Sequence, residues 1–123
     1  MQFHNGKDVY DIGTDAVSNW NILDNATTSD IWVHLADYPS CYVICKMDNT
    51  MVFETNAKRK KYIQKRVKVA GRYCFNRSQN KIPTNVNNIN IIYVNCKYVK
   101  KGDKLGQAEL TKEPSMLTIE RNK

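Results

Sequence analysis

The sequence predicts an all-β fold, a small antiparallel β-barrel of about seven or eight strands with a short N-terminal helix. Short runs rich in Val, Ile and aromatic residues recur along the chain, and Asn, Asp, Gly and Pro separate them. Helical periodicity is confined to one stretch near the start of the chain. The 123 residues suffice for one hydrophobic core, so a single barrel domain is predicted over 1–123.

The first elements are a helix and a strand. Val17, Trp20 and Leu23 recur at three-residue spacing, which predicts one or two helical turns. After the polar segment 24–29, apolar and other residues alternate with a period of two. This alternation predicts a strand over 30–37.

The remaining elements follow from composition and turn signals. The run at 89–99 is rich in Ile, Val and Tyr and is the most strand-like in the chain. Strands are predicted at 41–46, 51–55, 61–69, 73–75, 89–99, 104–110 and 116–120. Turns are predicted at 48–49, 56–58 and 100–103, and a polar loop at 78–88.

The cysteines predict a two-disulfide framework in a secreted protein. All four lie in the predicted extended runs: Cys41, Cys45, Cys74 and Cys96. Their number and placement suit an oxidising compartment, although free buried thiols are the alternative and three pairings stay open. No Cys-x-x-Cys pair occurs and only two histidines are present, so no metal or cofactor is expected.

Two glycosylation sequons agree with secretion. They begin at Asn25 and Asn76, in polar segments that resemble turns. No apolar run reaches the roughly 20 residues of a membrane helix, so no membrane span is predicted. The chain opens without the apolar segment of a signal peptide, so we expect a mature or truncated secreted form.

The positive charge is concentrated in one segment. The net charge is +7, and eight cations without an acid lie between residues 58 and 72: Lys58, Arg59, Lys60, Lys61, Lys65, Arg66, Lys68 and Arg72. Such a cluster predicts a contact with nucleic acid or another polyanion. In a strand the cations would occupy both faces, which indicates an edge or a protruding hairpin, and a solvated sheet edge is the alternative.

Aromatic residues on most predicted strands indicate a ligand pocket inside the barrel. Asp30, Trp32 and His34 share one face of the first predicted strand, with Tyr42 and Tyr93 as further candidates. For a cationic amine, Asp30 would supply the counter-charge and Trp32 a cation–π surface. In the alternative arrangement, Trp32 and His34 face solvent.

No pattern of catalytic residues is found. The five glycines follow no phosphate-loop spacing, and no serine has a nucleophile-elbow context. The sequence therefore predicts a protein that is not an enzyme.

Three motifs resemble the tick salivary lipocalins, the group that includes histamine-binding proteins. They are Asp15-Ala16 with Trp20, the segment 27–33, and the Cys-Lys-Met-Asp of 45–48. The resemblance implies a secreted barrel that sequesters a host amine or lipid mediator. Asp30 and Trp32 are the residues to which the ligand-binding role would carry over.

The expected function is therefore that of a secreted, monomeric binder of a small amine or lipid. The alternative is an intracellular or viral β domain that binds nucleic acid or another polyanion through residues 58–72. A third possibility is attachment to host proteins or glycans through the same basic segment.

Overall fold

The computed structural model describes residues 1–48 and 50–122 and contains antiparallel strands and two α-helices. In chain order these are β1 (Gln2–Asn5), β2 (Asp8–Ile12), α1 (Ala16–Asp24), β3 (Ile31–Leu35), β4 (Val43–Lys46), α2 (Asn56–Ser78), β5 (Asn88–Asn95), β6 (Val99–Lys101), β7 (Ala108–Leu110) and β8 (Ser115–Glu120). Short 3-10 helices lie at Gln79–Lys81 and Cys96–Tyr98.

Six strands form one sheet in the order β1-β2-β4-β3-β5-β8, and every neighbouring pair is antiparallel. Strand β3 is central, because Val33 lies opposite Val43 of β4 and Tyr93 of β5. Strands β6 and β7 form a separate hairpin. The predicted antiparallel arrangement and the N-terminal helix are therefore confirmed.

The predicted closed barrel is not formed, and the predicted all-β class is wrong because helix α2 alone has 23 residues. Within the described residues, β1 and β8 lie at opposite edges of an open sheet and no pairing joins them. The strands predicted at 61–69 and 73–75 and the turn predicted at 56–58 are instead parts of helix α2. The strand predicted at 51–55 is also wrong, because no strand is found there. Because this part of the chain is helical, it adds no strands to the sheet, and α2 covers one face of the open sheet. The predicted turn at 48–49 lies partly outside the described residues.

Helix α2 forms because its apolar side chains repeat at helical spacing. Ile63, Val67, Ala70 and Cys74 follow each other at intervals of four, three and four residues, which places them on one face. Val67, Ala70 and Cys74 are fully buried against the sheet. The Thr55 side chain begins the helix by accepting a hydrogen bond from the Lys58 amide at 3.1 Å.

The sheet has a hydrophobic cluster on each face. Beneath α2, the cluster includes Tyr10, Ile12, Val33, Val43, Ile89 and Ile91. On the other face, α1 and the β6–β7 hairpin cover a second cluster that includes Ile22, Trp32, Tyr42, Ile44, Val94 and Val99. The two layers leave the outer side of α2 exposed to solvent.

Helix α1 is fixed at its start and along its side. The Asp15 carboxylate accepts from the Ser18 amide at 2.8 Å, and the Ser18 hydroxyl accepts from the Asp15 amide at 2.9 Å. These reciprocal bonds satisfy donors that the helix itself leaves free. The Trp20 indole N–H donates to the Gln107 carbonyl at 3.0 Å, which ties the helix to the hairpin.

Candidate functional site

The basic segment lies on helix α2, and its cations lie on different sides of the helix. One stripe on the side opposite the core consists of Lys58, Lys61, Lys65, Lys68 and Arg72, at alternating three- and four-residue spacing. We call these five residues the α2 stripe. Its four lysines are exposed, and Arg72 is half-buried. The helical geometry thus collects on one surface cations that a strand would have divided between two faces.

Three cations of the segment are held by other groups. Lys58 forms an exposed ion pair with Glu54 at 2.7 Å. Arg66 contacts the Asp8 carboxylate at 3.3 Å and stacks over the Tyr62 ring, 3.5 Å from its centroid. The Arg72 guanidinium donates to the carbonyl oxygens of residues 120 and 121, at 2.5 and 3.1 Å. Arg66 and Arg72 therefore also fasten the helix to the sheet.

The central lysines of the stripe are the ones available to a partner. Lys61, Lys65 and Lys68 are exposed, and none of them forms an ion pair with a carboxylate among residues 1–48 and 50–122. Arg59 and Lys60 lie beside the first turn of the stripe and are also exposed. An outward surface of this kind can bind anions without first breaking internal contacts.

Three of the predicted ligand-binding residues lie together. The Trp32 and His34 rings stack with centroids 5.5 Å apart and an interplanar angle of 3°, and Tyr42 meets Trp32 edge-on at 5.4 Å. They line a cavity of about 410 Å³ between the sheet, α1 and the hairpin. Burial lowers the pKa of His34, although its ring nitrogens lie 2.6 and 3.1 Å from the carbonyl oxygens of Leu35 and Ser40.

Asp30 is not part of this cavity and has a structural role. The residue is 1% exposed, and its carboxylate accepts from the Lys46 ammonium at 2.7 Å and from the Met47 and Thr27 amides at 2.9 Å each. Burial alone would raise the pKa of Asp30, but these hydrogen bonds outweigh it and lower the pKa. The carboxylate is already neutralised by Lys46, so the structure does not offer it as the counter-charge for an amine.

Tyr93 faces the opposite side of the sheet and lines a different cavity. This cavity of about 310 Å³ lies between the first turns of α2 and strand β5, and Tyr98 also lines it. Among the cations that line it, Arg59 and Lys60 belong to the predicted polyanion-binding set, whereas Lys112 was not predicted. The ammonium groups of Lys97 and Lys112 each lie 5.0 Å from the centroid of the Tyr98 ring.

All four cysteines are free thiols in this structure. Cys45, Cys74 and Cys96 are buried and Cys41 is half-buried. Burial raises the pKa of Cys45 and Cys74, and it raises that of Cys96 to about 12. A hydrogen bond with the Cys74 side chain, aided by nearby Arg77, lowers the pKa of Cys41. The predicted disulfides stay a prediction.

We expect the native protein to react with iodoacetamide at Cys41 first, because thiolate content and exposure control alkylation. The other three thiols should react only after denaturation. Intact mass and peptide mapping at pH 8, with and without denaturant, provide the measurement. Protein from a secreting host that shows no free thiol before reduction would contradict this expectation and support the two-disulfide framework.

The two predicted glycosylation sites differ in their surroundings. Asn25 is exposed at the end of α1. Asn76 lies inside the last turns of α2, and the Ser78 of its sequon is 2% exposed. The turn expected at Asn76 is therefore wrong, and Asn25 is the sequon that better matches an accessible acceptor.

No metal cluster and no membrane-spanning helix are found in the part of the chain that the structure describes. No group of three or more His, Cys, Asp or Glu side chains there is arranged to hold a metal ion. None of the described helices is both long and apolar enough to cross a membrane.

Comparisons with known proteins establish a fold likeness. No protein-family model and no curated protein matches this chain. Among solved structures, the chain is similar to the C-terminal part of the fibronectin/fibrinogen-binding protein of Streptococcus suis, with a TM-score of 0.62 and 16% sequence identity. The match covers 93% of this chain and 41% of that one, so the chain spans about two-fifths of the length of that structure. At this identity the likeness shows a shared fold.

Proposed function

We propose that this domain binds nucleic acid by contacting the phosphate backbone with the α2 stripe. The observation that carries the proposal is the exposure of Lys61, Lys65 and Lys68 on one side of α2, without ion pairs among the described residues. Cations that neutralise phosphates release condensed counterions, and this release supplies much of the affinity of proteins for nucleic acids.

The shape of the stripe supports a linear polyanion as the partner. The 15 residues from Lys58 to Arg72 correspond to about 21 Å of helix, with a charged side chain about every 5 Å. The opposite side of the helix is buried in the core, so a strand of nucleic acid can follow the outer side without disturbing the fold. The pair between Lys58 and Glu54 is solvent-exposed and can be exchanged for a phosphate at little cost.

The test is the salt dependence of binding to a fluorescein-labelled single-stranded 12-mer, measured by fluorescence polarisation. We expect the affinity to fall steeply as salt increases. Changing Lys61, Lys65 and Lys68 together to Gln should weaken binding about tenfold and reduce the slope of log K against log salt by about 2.

A matched triple variant separates the stripe from overall charge. Lys7, Lys100 and Lys104 are exposed lysines outside α2, and changing them to Gln removes the same charge. This control should retain most of the affinity and the slope. Equal weakening by both triple variants, or no binding by the unmodified protein at low salt, would contradict the proposal.

Small-molecule binding beside Trp32 is the second candidate function. The rings of Trp32, His34 and Tyr42 line one cavity of about 410 Å³, which has room for a small flat molecule. No carboxylate lines the cavity of Trp32, His34 and Tyr42, which favours a neutral or acceptor-bearing ligand over an amine. Secretion and sequestration of a host mediator stay predictions.

A further inference from the structure

A small cleft opens beside the first turns of α2, next to the beginning of the α2 stripe. It has a volume of about 310 Å³ and is lined by residues of α2, of β5 and of the segment that precedes β8. We call it the Tyr98 cleft. Pockets of about 300 Å³ and more are typical of small-ligand sites, so the cleft has room for one nucleotide-sized group.

The inner surface of the cleft is apolar and aromatic. Ile31 and Val94 are buried there, and Ile63, Tyr93 and Tyr98 are half-buried. Covering this surface with another flat apolar group removes apolar area from water, which is favourable in free energy. Nucleobases are flat and stack on aromatic side chains, whichever base is present.

The rim of the cleft is cationic. Arg59, Lys60 and Lys112 line it, against the single carboxylate of Glu113. Lys97 lies outside this lining, but its ammonium is 5.0 Å from the Tyr98 ring, as is that of Lys112. Both ammonium groups lie over the ring and belong to exposed side chains, so a base that stacks on Tyr98 displaces at least one of them, which is then free to bind the attached phosphate.

Amide side chains complete the set of groups. Asn56 and Asn95 both line the cleft, and each amide offers hydrogen-bond donors and an acceptor. Base edges present the same mixture of donors and acceptors. An apolar surface, a cationic rim and two amides together match a nucleotide better than an acidic peptide, which would leave the aromatic surface uncovered.

We propose that the Tyr98 cleft binds an unpaired nucleobase and its phosphate at one end of a single strand that lies along the α2 stripe. This inference rests on the proposed function, because a strand reaches the cleft by binding along the α2 stripe. It adds a preference for single-stranded over duplex nucleic acid, since a paired base cannot leave its stack without a cost in free energy.

The experiment compares two labelled 12-mers, oligo-dT and a strand of the same length made only of abasic sites. The unmodified protein should bind oligo-dT about tenfold more tightly, because stacking of one base contributes at that scale. Tyr98→Leu should bind both strands equally, whereas Tyr98→Phe, which keeps the ring, should retain the preference. Circular dichroism and thermal melting check that each variant is folded.

A surface variant covers the case in which Tyr98→Leu does not fold. Asn56→Ala removes an exposed amide that lines the cleft and is matched to a base edge, so it should reduce the oligo-dT preference. Equal binding of oligo-dT and the abasic strand by the unmodified protein would overturn the base-binding inference and leave the stripe proposal standing. Loss of binding to both strands at low salt would overturn the stripe proposal itself. Competition by a poly-glutamate peptide as strong as that by oligo-dT would assign the cleft to acidic peptides instead.

Discussion

Replacing Asp30 by Asn is expected to lower the free energy of unfolding by about 3 kcal/mol. The carboxylate is buried and serves three donors: the Lys46 ammonium and the amides of Thr27 and Met47. An asparagine side chain has one acceptor oxygen and turns an N–H₂ group toward the remaining donors. The variant therefore leaves the half-buried Lys46 charge without its nearest partner, and at least one amide unpaired.

Urea denaturation at pH 7 measures this effect, with Asp24→Asn as the matched control. Asp24 also pairs with a lysine, Lys101 at 2.8 Å, but both side chains are largely exposed, so we expect a loss below about 1 kcal/mol. If the free energy of unfolding falls by a similar amount in the two variants, the buried contacts of Asp30 contribute no more stability than the exposed ion pair of Asp24.

The same comparison has a defined pH dependence. The pKa of Asp30 is lower in the folded protein than in the unfolded chain, where Asp titrates at about 3.9. Its charge therefore contributes stability above about pH 4, and this contribution is lost as the pH falls through the folded pKa. The difference in the free energy of unfolding between the unmodified protein and Asp30→Asn should therefore decrease as the pH falls below about 4.

Replacing Gly71 by Val is expected to destabilise the fold by about 3 kcal/mol through overpacking. Gly71 is buried in the middle of α2, where a helix would normally gain from a residue other than glycine. A Cβ atom there would lie 2.9 Å from Cγ1 and 3.0 Å from Cδ1 of Ile91. Ile91 is fully buried on β5 and its branched side chain cannot move aside without disturbing the core.

A double-mutant cycle with Ile91→Ala checks the cause. Ile91→Ala alone should cost about 3 kcal/mol, because it leaves a cavity. In the double variant the valine at 71 enters the space left by the isoleucine, so the loss should be clearly smaller than the sum of the two single losses. Additive losses would show that the glycine is needed for another reason than the close approach of α2 to β5.

The sequence predicted the strands that are central in the sheet and mispredicted the helix that covers them. Strands β3, β4 and β5 combine β-branched residues with clear boundaries, and their observed ranges lie within the predicted ones to about a residue. In 58–75 a period of two was inferred although Ile63, Val67, Ala70 and Cys74 follow the helical period. Lys, Arg, Gln and Ala also favour helices. Both the helix propensity of this segment and the spacing of its apolar residues therefore indicate a helix.

The candidate site could be predicted in part. Composition alone located the cations at 58–72, but only the helix shows that five of them share one outward stripe. The role of Asp30 was missed because its partner Lys46 lies on another strand, a contact that no local pattern reveals. The Tyr98 cleft likewise combines residues from distant segments, so it emerges only after the chain is folded.

The strand order also has a consequence for synthesis on the ribosome. Strands β1 to β4 all lie within residues 2–46, and they form four adjacent strands of the six-stranded sheet, with β3 at the inner edge of the four. The neighbour of β3 on that edge is β5, which leaves the ribosome only after the 23 residues of α2. A nascent chain that stalls within α2 therefore presents an open, apolar strand edge, and such edges pair readily with other chains.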